Sequence, residues 1–177
     1  MLRSPHEIVK WFEEEVAHYT GARFAVAVDN CTTAIRMCCE YMNVKDVTIP
    51  NRTYLSVPQS IIQAGGKVSL EDYDWSGIYQ LKPYNIYDAA KRFTSNMYIP
   101  NSLMCLSFGI KKNLKLGKGG MILCDDEEAV KALKKLRWSG RTEGVAMDRD
   151  EVGTMGDNSY ITPEWAARGL MLLSVYP

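Results

Sequence analysis

Two short apolar runs, Met104-Cys105-Leu106 and Met121-Ile122-Leu123-Cys124, enclose the stretch with the most chemical potential. It holds the hydroxyl of Ser107, the adjacent amines of Lys111 and Lys112, and the glycines Gly117, Gly119 and Gly120. The flanking runs are short, apolar and closed by turn residues, so they read as buried strands. A lysine beside buried strands sheds hydration, and its amine gains nucleophilic character. The glycines let the backbone pass close to something bulky. A plainer reading stands beside this one: a basic, glycine-containing hairpin loop at the surface. A phosphate loop is excluded, because Gly117-Lys118 is followed by Gly119, and Lys112 stands where that motif needs its first glycine. No dinucleotide fingerprint fits either.

The elements around this stretch read as alternating strands and helices. Residues 24–28, Phe-Ala-Val-Ala-Val, form a buried strand that turns at 29–33 into a helix reaching about Tyr41. That order points helix amides and threonine hydroxyls outward at one end of a sheet, where a phosphate binds well. On these residues alone, the plainer reading is that Thr32 or Thr33 caps the helix. A strand at 84–87 delivers Asp88 to its carboxyl end. There the carboxylate either faces a ligand in the crevice where open α/β sheets bind, or caps a helix.

Other strands are expected at 47–49 and 67–70, with a helix at 56–64 ended by Gly65-Gly66 and Pro58 in its first turn. Residues 71–83 show no clear period and read as irregular. The first helix starts at Ser4-Pro5-His6-Glu7 with Ser4 as cap, and stops at Gly21. Asp125-Asp126-Glu127-Glu128 opens another helix. Its buried face is Ala129, Val130, Leu133 and Leu136; its solvated face is Lys131, Lys134, Lys135 and Arg137. Residues 138–158 are rich in glycine and charge and are expected to be mobile. A last helix opens at Thr162-Pro163; with little sequence after it, its apolar face is expected to serve self-association.

Composition narrows the function classes. The 177 residues suit one domain with a real core. Charge balances at 21 basic and 21 acidic residues, so no nucleic-acid or anionic-membrane footprint is indicated. No apolar run is long enough to span a bilayer, and the N-terminal residues lack a signal-peptide core. Five cysteines without a Cys-x-x-Cys pair fit a reduced, cytoplasmic protein. His6 and His18 are the only histidines and lack metal spacing, so no metal site is expected.

Taken in order, these motifs resemble the DegT/StrS-type sugar aminotransferases, a branch of the fold-type I enzymes that use pyridoxal 5'-phosphate (PLP). The matching residues are Ser107-Phe108, Lys112-Asn113-Leu114 and Gly117-Lys118-Gly119-Gly120. Asp88-Ala89-Ala90, Thr53-Tyr54 and Gly156-x-Asn158 with Ala166-Ala167-x-Gly169-Leu170 match as well. The implied fold is a reduced α/β three-layer sandwich with a mostly parallel central sheet. Residues 1–177 would be a single cofactor-binding domain, about half the usual length, without a separate smaller C-terminal domain.

The resemblance also implies roles. Lys112 would hold PLP as a Schiff base and move a proton at the substrate carbon. It is favoured over Lys111 because the family's lysine lies five residues after the serine. Asp88 would pair with the pyridine nitrogen, with Ala90 beside it in the same motif, and Tyr54 would stack on the ring. Cys31, Thr32 and Ser107 would hold the phosphate. Asn158 would reach the phosphate of a neighbouring subunit, making the site one shared across a homodimer. The implied reaction moves an amino group from a donor such as glutamate to a keto acceptor such as a nucleotide-linked keto-sugar. Racemisation or decarboxylation on the same cofactor, or cofactor binding without turnover, are the alternatives. Three features depart from the family pattern besides length: a short segment at 71–84 in place of a strand and helix, Lys91 for a glutamine, and Lys118 for a glutamate. Arg52 and Arg141 read either as carboxylate or phosphate binders or as solvated surface.

Overall fold

The computed structural model describes residues 4–177. Helix α1 (Glu7–Thr20) leads into β1 (Phe24–Val28) and α2 (Cys31–Tyr41), followed by β2 (Asp46–Pro50), α3 (Ser56–Gln63) and β3 (Lys67–Glu71). Two short strands, β4 (Tyr79–Gln80) and β5 (Ile86–Asp88), precede β6 (Leu103–Ser107) and β7 (Gly120–Cys124). Helices α4 (Glu127–Arg137) and α5 (Pro163–Leu173) complete the order. Among the described residues, no helix is long and apolar enough to cross a membrane.

The main sheet runs β1-β7-β6-β5-β4, and β2 and β3 form a parallel pair. Reciprocal backbone bonds between Thr48 and Lys82, at 2.9 and 3.0 Å, join the two sheets just beyond β4. Strands β1, β2, β3, β5 and β6 therefore run one way, and β4 and β7 run the other. Most strands share a direction, as the resemblance implies, yet most neighbouring pairs are antiparallel. The reason is positional. Both reversed strands are hairpin partners, β7 of β6 and β4 of β5, and a hairpin leaves the reversed strand inside the sheet beside its partner.

Period-two burial sorts the side chains onto two faces. Val26, Val28, Cys105 and Ile122 point to the layer holding α2, α3 and α4. Ala25, Ala27, Leu106, Met121 and Leu123 point to the layer holding α1 and α5. Both faces are covered, which explains why the strands read as unbroken apolar runs.

Several expectations are corrected. The 71–83 segment contains β4, whose chain continues at Leu81 and Lys82 to bridge β2. Strand β5 begins at Ile86 because Tyr84 and Asn85 complete the turn. Helix α1 has His6 at its cap position with no side-chain cap bond; the Ser4 hydroxyl accepts the His6 amide instead, at 3.3 Å. Helix α5 has an intramolecular partner, since it packs on α1, with Gly169 against the Phe12 ring where a Cβ would fall 2.5 Å from a ring carbon. Its apolar face is thus no argument for self-association. Arg137 is buried rather than solvated, and it meets buried Glu13 of α1. The 138–158 segment is fastened at both ends, by Gly140 N–H to Lys135 O at 2.8 Å and by Asp157 N–H to Leu136 O at 2.7 Å.

Candidate functional site

Strands β1, β5 and β6 end at one edge of the sheet, and each delivers a polar group there. Beyond β1, Asn30 caps α2 through its side-chain oxygen, which accepts the Thr33 amide at 2.9 Å. Asn30, rather than Thr32 or Thr33, is therefore the cap. The Thr32 hydroxyl is left to pair with Ser56 Oγ at 2.8 Å. The amides of Cys31 and Thr32 open the helix and have no helical acceptor, so they favour an anion. Burial first, and then the charge of Asp88, push the Cys31 thiol well up. Cys31 therefore offers an anion its amide and a neutral thiol.

Asp88 ends β5 and is 5% exposed. Its Oδ1 accepts the Ala90 amide and its Oδ2 accepts the Tyr79 hydroxyl, both at 2.8 Å. Burial raises its carboxyl above the ordinary range, against the opposing pull of those two donors and of Lys112 and Lys91. Such a carboxylate is primed to take up a cationic or N–H partner, which would offset its lost hydration.

Ser107 ends β6 and opens the loop to β7. Phe108, Leu114 and Leu116 are fully or almost fully buried and anchor that loop, so it is no free surface hairpin. Lys112 N–H bonds Gly109 O at 3.0 Å, which tightens the turn carrying the amine. The bulky group approached by the glycines is the chain itself. A Cβ on Gly120 would fall 2.5 Å from the Asn30 carbonyl carbon, so only glycine lets β7 lie against the start of α2. Gly117, at φ +107°, lies beneath the Trp165 ring.

These groups surround one cleft of about 350 Å³. Lys112, Asp88 and Ser107 line it from the sheet edge, with Ala90 beside them. Cys31 and Thr32 line it from α2, and the well-exposed Tyr54 stands at its mouth. Lys111 also lines it, but Lys112 is half-buried and Lys111 exposed, and it is the Lys112 charge that acts on Asp88 and Cys31. Asn158 lies elsewhere, exposed and bridged to Trp138 beyond α4. Arg141 braces its own loop through Val145 O and Asp150, and Arg52 ion-pairs with Asp74 in solvent. Lys91 lies over the Trp75 ring, 4.8 Å from its centroid. Sequence reasoning missed Tyr79, Ser56 and the capping role of Asn30. No signal in the sequence separates Tyr79 from Tyr73 or from the acidic and polar residues around them.

The DegT/DnrJ/EryC1/StrS aminotransferase family model matches residues 2–99 and 100–175. The chain belongs to this family. Its fold is similar to that of DesV from S. venezuelae, solved in complex with a ketimine intermediate, at TM-score 0.78 and 17% identity over 94% of this chain. It is also similar to the putative sugar aminotransferase Spr1654 from Streptococcus pneumoniae in its PLP form (TM-score 0.80, 16% identity, 96% covered). AtS13 from Actinomadura melliaura gives TM-score 0.82 at 18% identity, again over 96% of this chain. The chain spans 56% of the length of DesV, 59% of Spr1654 and 60% of AtS13. Comparison with curated proteins gives no match.

Proposed function

We propose that this family member binds PLP in the Asp88–Lys112 cleft and transfers an amino group from an amino acid to a keto acceptor. The donor is of the glutamate kind and the acceptor is a keto-sugar, carried on a nucleotide. The observation that carries this reading is the meeting of a buried carboxylate and a lysine amine in one cleft whose far wall is a helix N-terminus with hydroxyls. The donor set fits the group. An aldehyde needs an amine, a protonated ring nitrogen needs a buried anion, and a phosphate needs free amides and hydroxyls.

When bound, PLP supplies an electron sink for the pair released as the donor's α C–H bond breaks. This chain's residues do the rest. Lys112 would hold the cofactor through its amine, and the same amine is placed to take the proton from the donor's α-carbon. Asp88 holds a proton on the ring nitrogen by charge. Cys31 and Thr32 amides with the Ser107 hydroxyl fix the phosphate, and Tyr54 covers a ring face. Asn158, outside this cleft, is suited to the phosphate of a second copy, giving a homodimer with shared sites. Residues 1–177 act as one cofactor-binding domain, and the five buried thiols suit a cytoplasmic setting.

Two measurements test this. Protein purified with PLP is expected to show the visible band of the lysine-bound cofactor. Glutamate should convert that band to pyridoxamine phosphate absorbance with release of 2-oxoglutarate. A band that ignores glutamate points to cofactor binding without turnover, and no band at all defeats the reading.

The second measurement uses Asp88→Asn. A carboxyl raised by burial favours folding fully below its ordinary pKa, and that contribution is lost as pH rises through the raised value. The amide variant removes this penalty at neutral pH. Without cofactor it is expected to melt higher than the parent at pH 7, by a margin that shrinks as pH falls through the ordinary carboxyl range. With cofactor it binds PLP about tenfold or more weakly, for loss of a charge-assisted bond. An unchanged melting temperature together with unchanged PLP affinity would remove Asp88 from the site.

A further inference from the structure

The two oxygens of Asp88 are held by donors of different kinds. Oδ1 accepts a neighbouring backbone amide, whereas Oδ2 accepts a phenol from the two-residue strand β4. Tyr79 is 4% exposed, and its ring packs edge-on against Trp75 with centroids 4.6 Å apart. Its hydroxyl lies 2.5 Å from Thr53 Oγ1. A phenol has one proton, and a carboxylate has none to give. The Tyr79 proton therefore goes to Asp88, and the hydrogen between Thr53 and Tyr79 comes from Thr53. The bonds run in one direction, Thr53 to Tyr79 to Asp88, so that each polarises the next. Burial, and next the charge of Asp88, hold the Tyr79 phenol far above its ordinary value, which keeps it a donor.

We propose that Thr53 and Tyr79 form a donor relay that orients the Asp88 carboxylate and lowers its basicity, making both of them positioning residues for the cleft. The value of that positioning rests on Asp88 partnering the ring nitrogen of PLP, while the relay itself does not depend on it. Its geometry also ties the two walls of the cleft together. Thr53 immediately precedes Tyr54, which lines the mouth, so one chain of hydrogen bonds couples the aromatic wall to the carboxylate. Asp88 is faced as well by Lys112 from the β6–β7 loop, Lys91 just beyond β5, and the buried thiols of Cys31 in α2 and Cys105 in β6. These groups are the same in every variant below, so a difference between variants reports the relay.

The test is a carbon-13 NMR titration of aspartate-labelled, cofactor-free full chain, with the Asp88 signal assigned by its loss in Asp88→Asn. In Tyr79→Phe, which keeps the ring packing, the Asp88 midpoint is expected to move up from the parent value, because a donor to the charged form is gone. Thr53→Val, one bond further out, is expected to move it up by less. Site-specific 3-fluorotyrosine at position 79, a stronger donor of nearly the same shape, is expected to move it down. A merely structural role for Tyr79 would change melting temperature without this ordered pattern. Equal midpoints in the parent, Thr53→Val and the fluorotyrosine protein overturn the relay, even should Tyr79→Phe fail to fold. If the midpoints shift but PLP does not bind, the relay stands and the cofactor reading falls.

Discussion

Lys112→Ala is expected to lose the visible band of lysine-bound PLP and to cut amino transfer by about 10²–10⁴-fold, the span typical for loss of a general acid–base group. Lys111→Ala is expected to keep both. The contrast is informative because the two amines are adjacent in sequence and both line the cleft, yet differ in setting. Lys112 is half-buried, its amide is tied back to Gly109, and its charge bears on Asp88 and Cys31. Lys111 is exposed, and a flexible, hydrated ammonium is a poor nucleophile and a poorly placed base. A readout independent of turnover is borohydride reduction of the PLP-loaded protein followed by peptide mass spectrometry. The reduced adduct is expected on Lys112 in the parent and in Lys111→Ala, and to be missing from Lys112→Ala. An adduct on Lys111 would move the site by one residue, and none on either lysine would leave the cleft without its covalent anchor.

The residues at the strand ends were legible because their types are unusual where they stand. A carboxylate and an amine next to unbroken apolar runs carry a desolvation cost that sequence alone can flag. Asp88 and Lys112 stand out in the sequence for that reason, whereas Ser107 and the 29–33 turn are legible from the polar residues that close their apolar strands, and all of them line one cleft. Register within a polar cluster was less legible. Asn30, Thr32 and Thr33 are all competent caps, and only the backbone of Asn30, extended at φ −167° and ψ 165°, decides among them. Tyr79 was not legible at all, since a two-residue strand is too short to show a period of two.

Charge type misled where spacing would have served. Charge type places Arg137 on the solvated face of α4 with the lysines around it, but its spacing places it in the core. It stands one helical turn beyond buried Leu133, which stands one turn beyond buried Ala129. In α1, Glu13 likewise stands between buried Val9 and Ala17 at the same spacing. Two helices each carrying one charge of opposite sign at a core position is a signature of a buried pair, because neither charge is tolerable there alone.

That pair yields the largest stability effect expected of the molecule. Glu13 Oε1 accepts the Ala27 amide at 2.9 Å as well as Arg137 Nη1, and Lys134 Nζ lies 3.3 Å from its Oε2. Arg137 in turn donates to Ala27 O at 2.7 Å and to Glu143 Oε1 at 2.7 Å. Strand β1 is the end strand of its sheet, and Ala27 is fully buried within it. The two side chains therefore do for Ala27 what a further strand would do: one satisfies its outward amide, the other its outward carbonyl. Arg137→Met leaves Glu13 with only Lys134 and the Ala27 amide and leaves the Ala27 carbonyl without its donor, and breaking a buried pair from one side costs about 3–5 kcal/mol, or roughly 6–20 °C in melting temperature. Arg137→Lys restores the charge but lacks the fork that reaches both carboxylates and the carbonyl, so it is expected to recover only part of the loss. The diagnostic variant is the double replacement Glu13→Met with Arg137→Met. For an ordinary buried ion pair, an apolar substitute of similar volume is close to neutral. Here it leaves an amide and a carbonyl of β1 without partners, each costing about 1–3 kcal/mol, so the double variant is expected to stay well below the parent in denaturant and thermal unfolding. Parent-like stability of the double variant would mean that the pair only neutralises itself and that the edge of β1 is satisfied some other way.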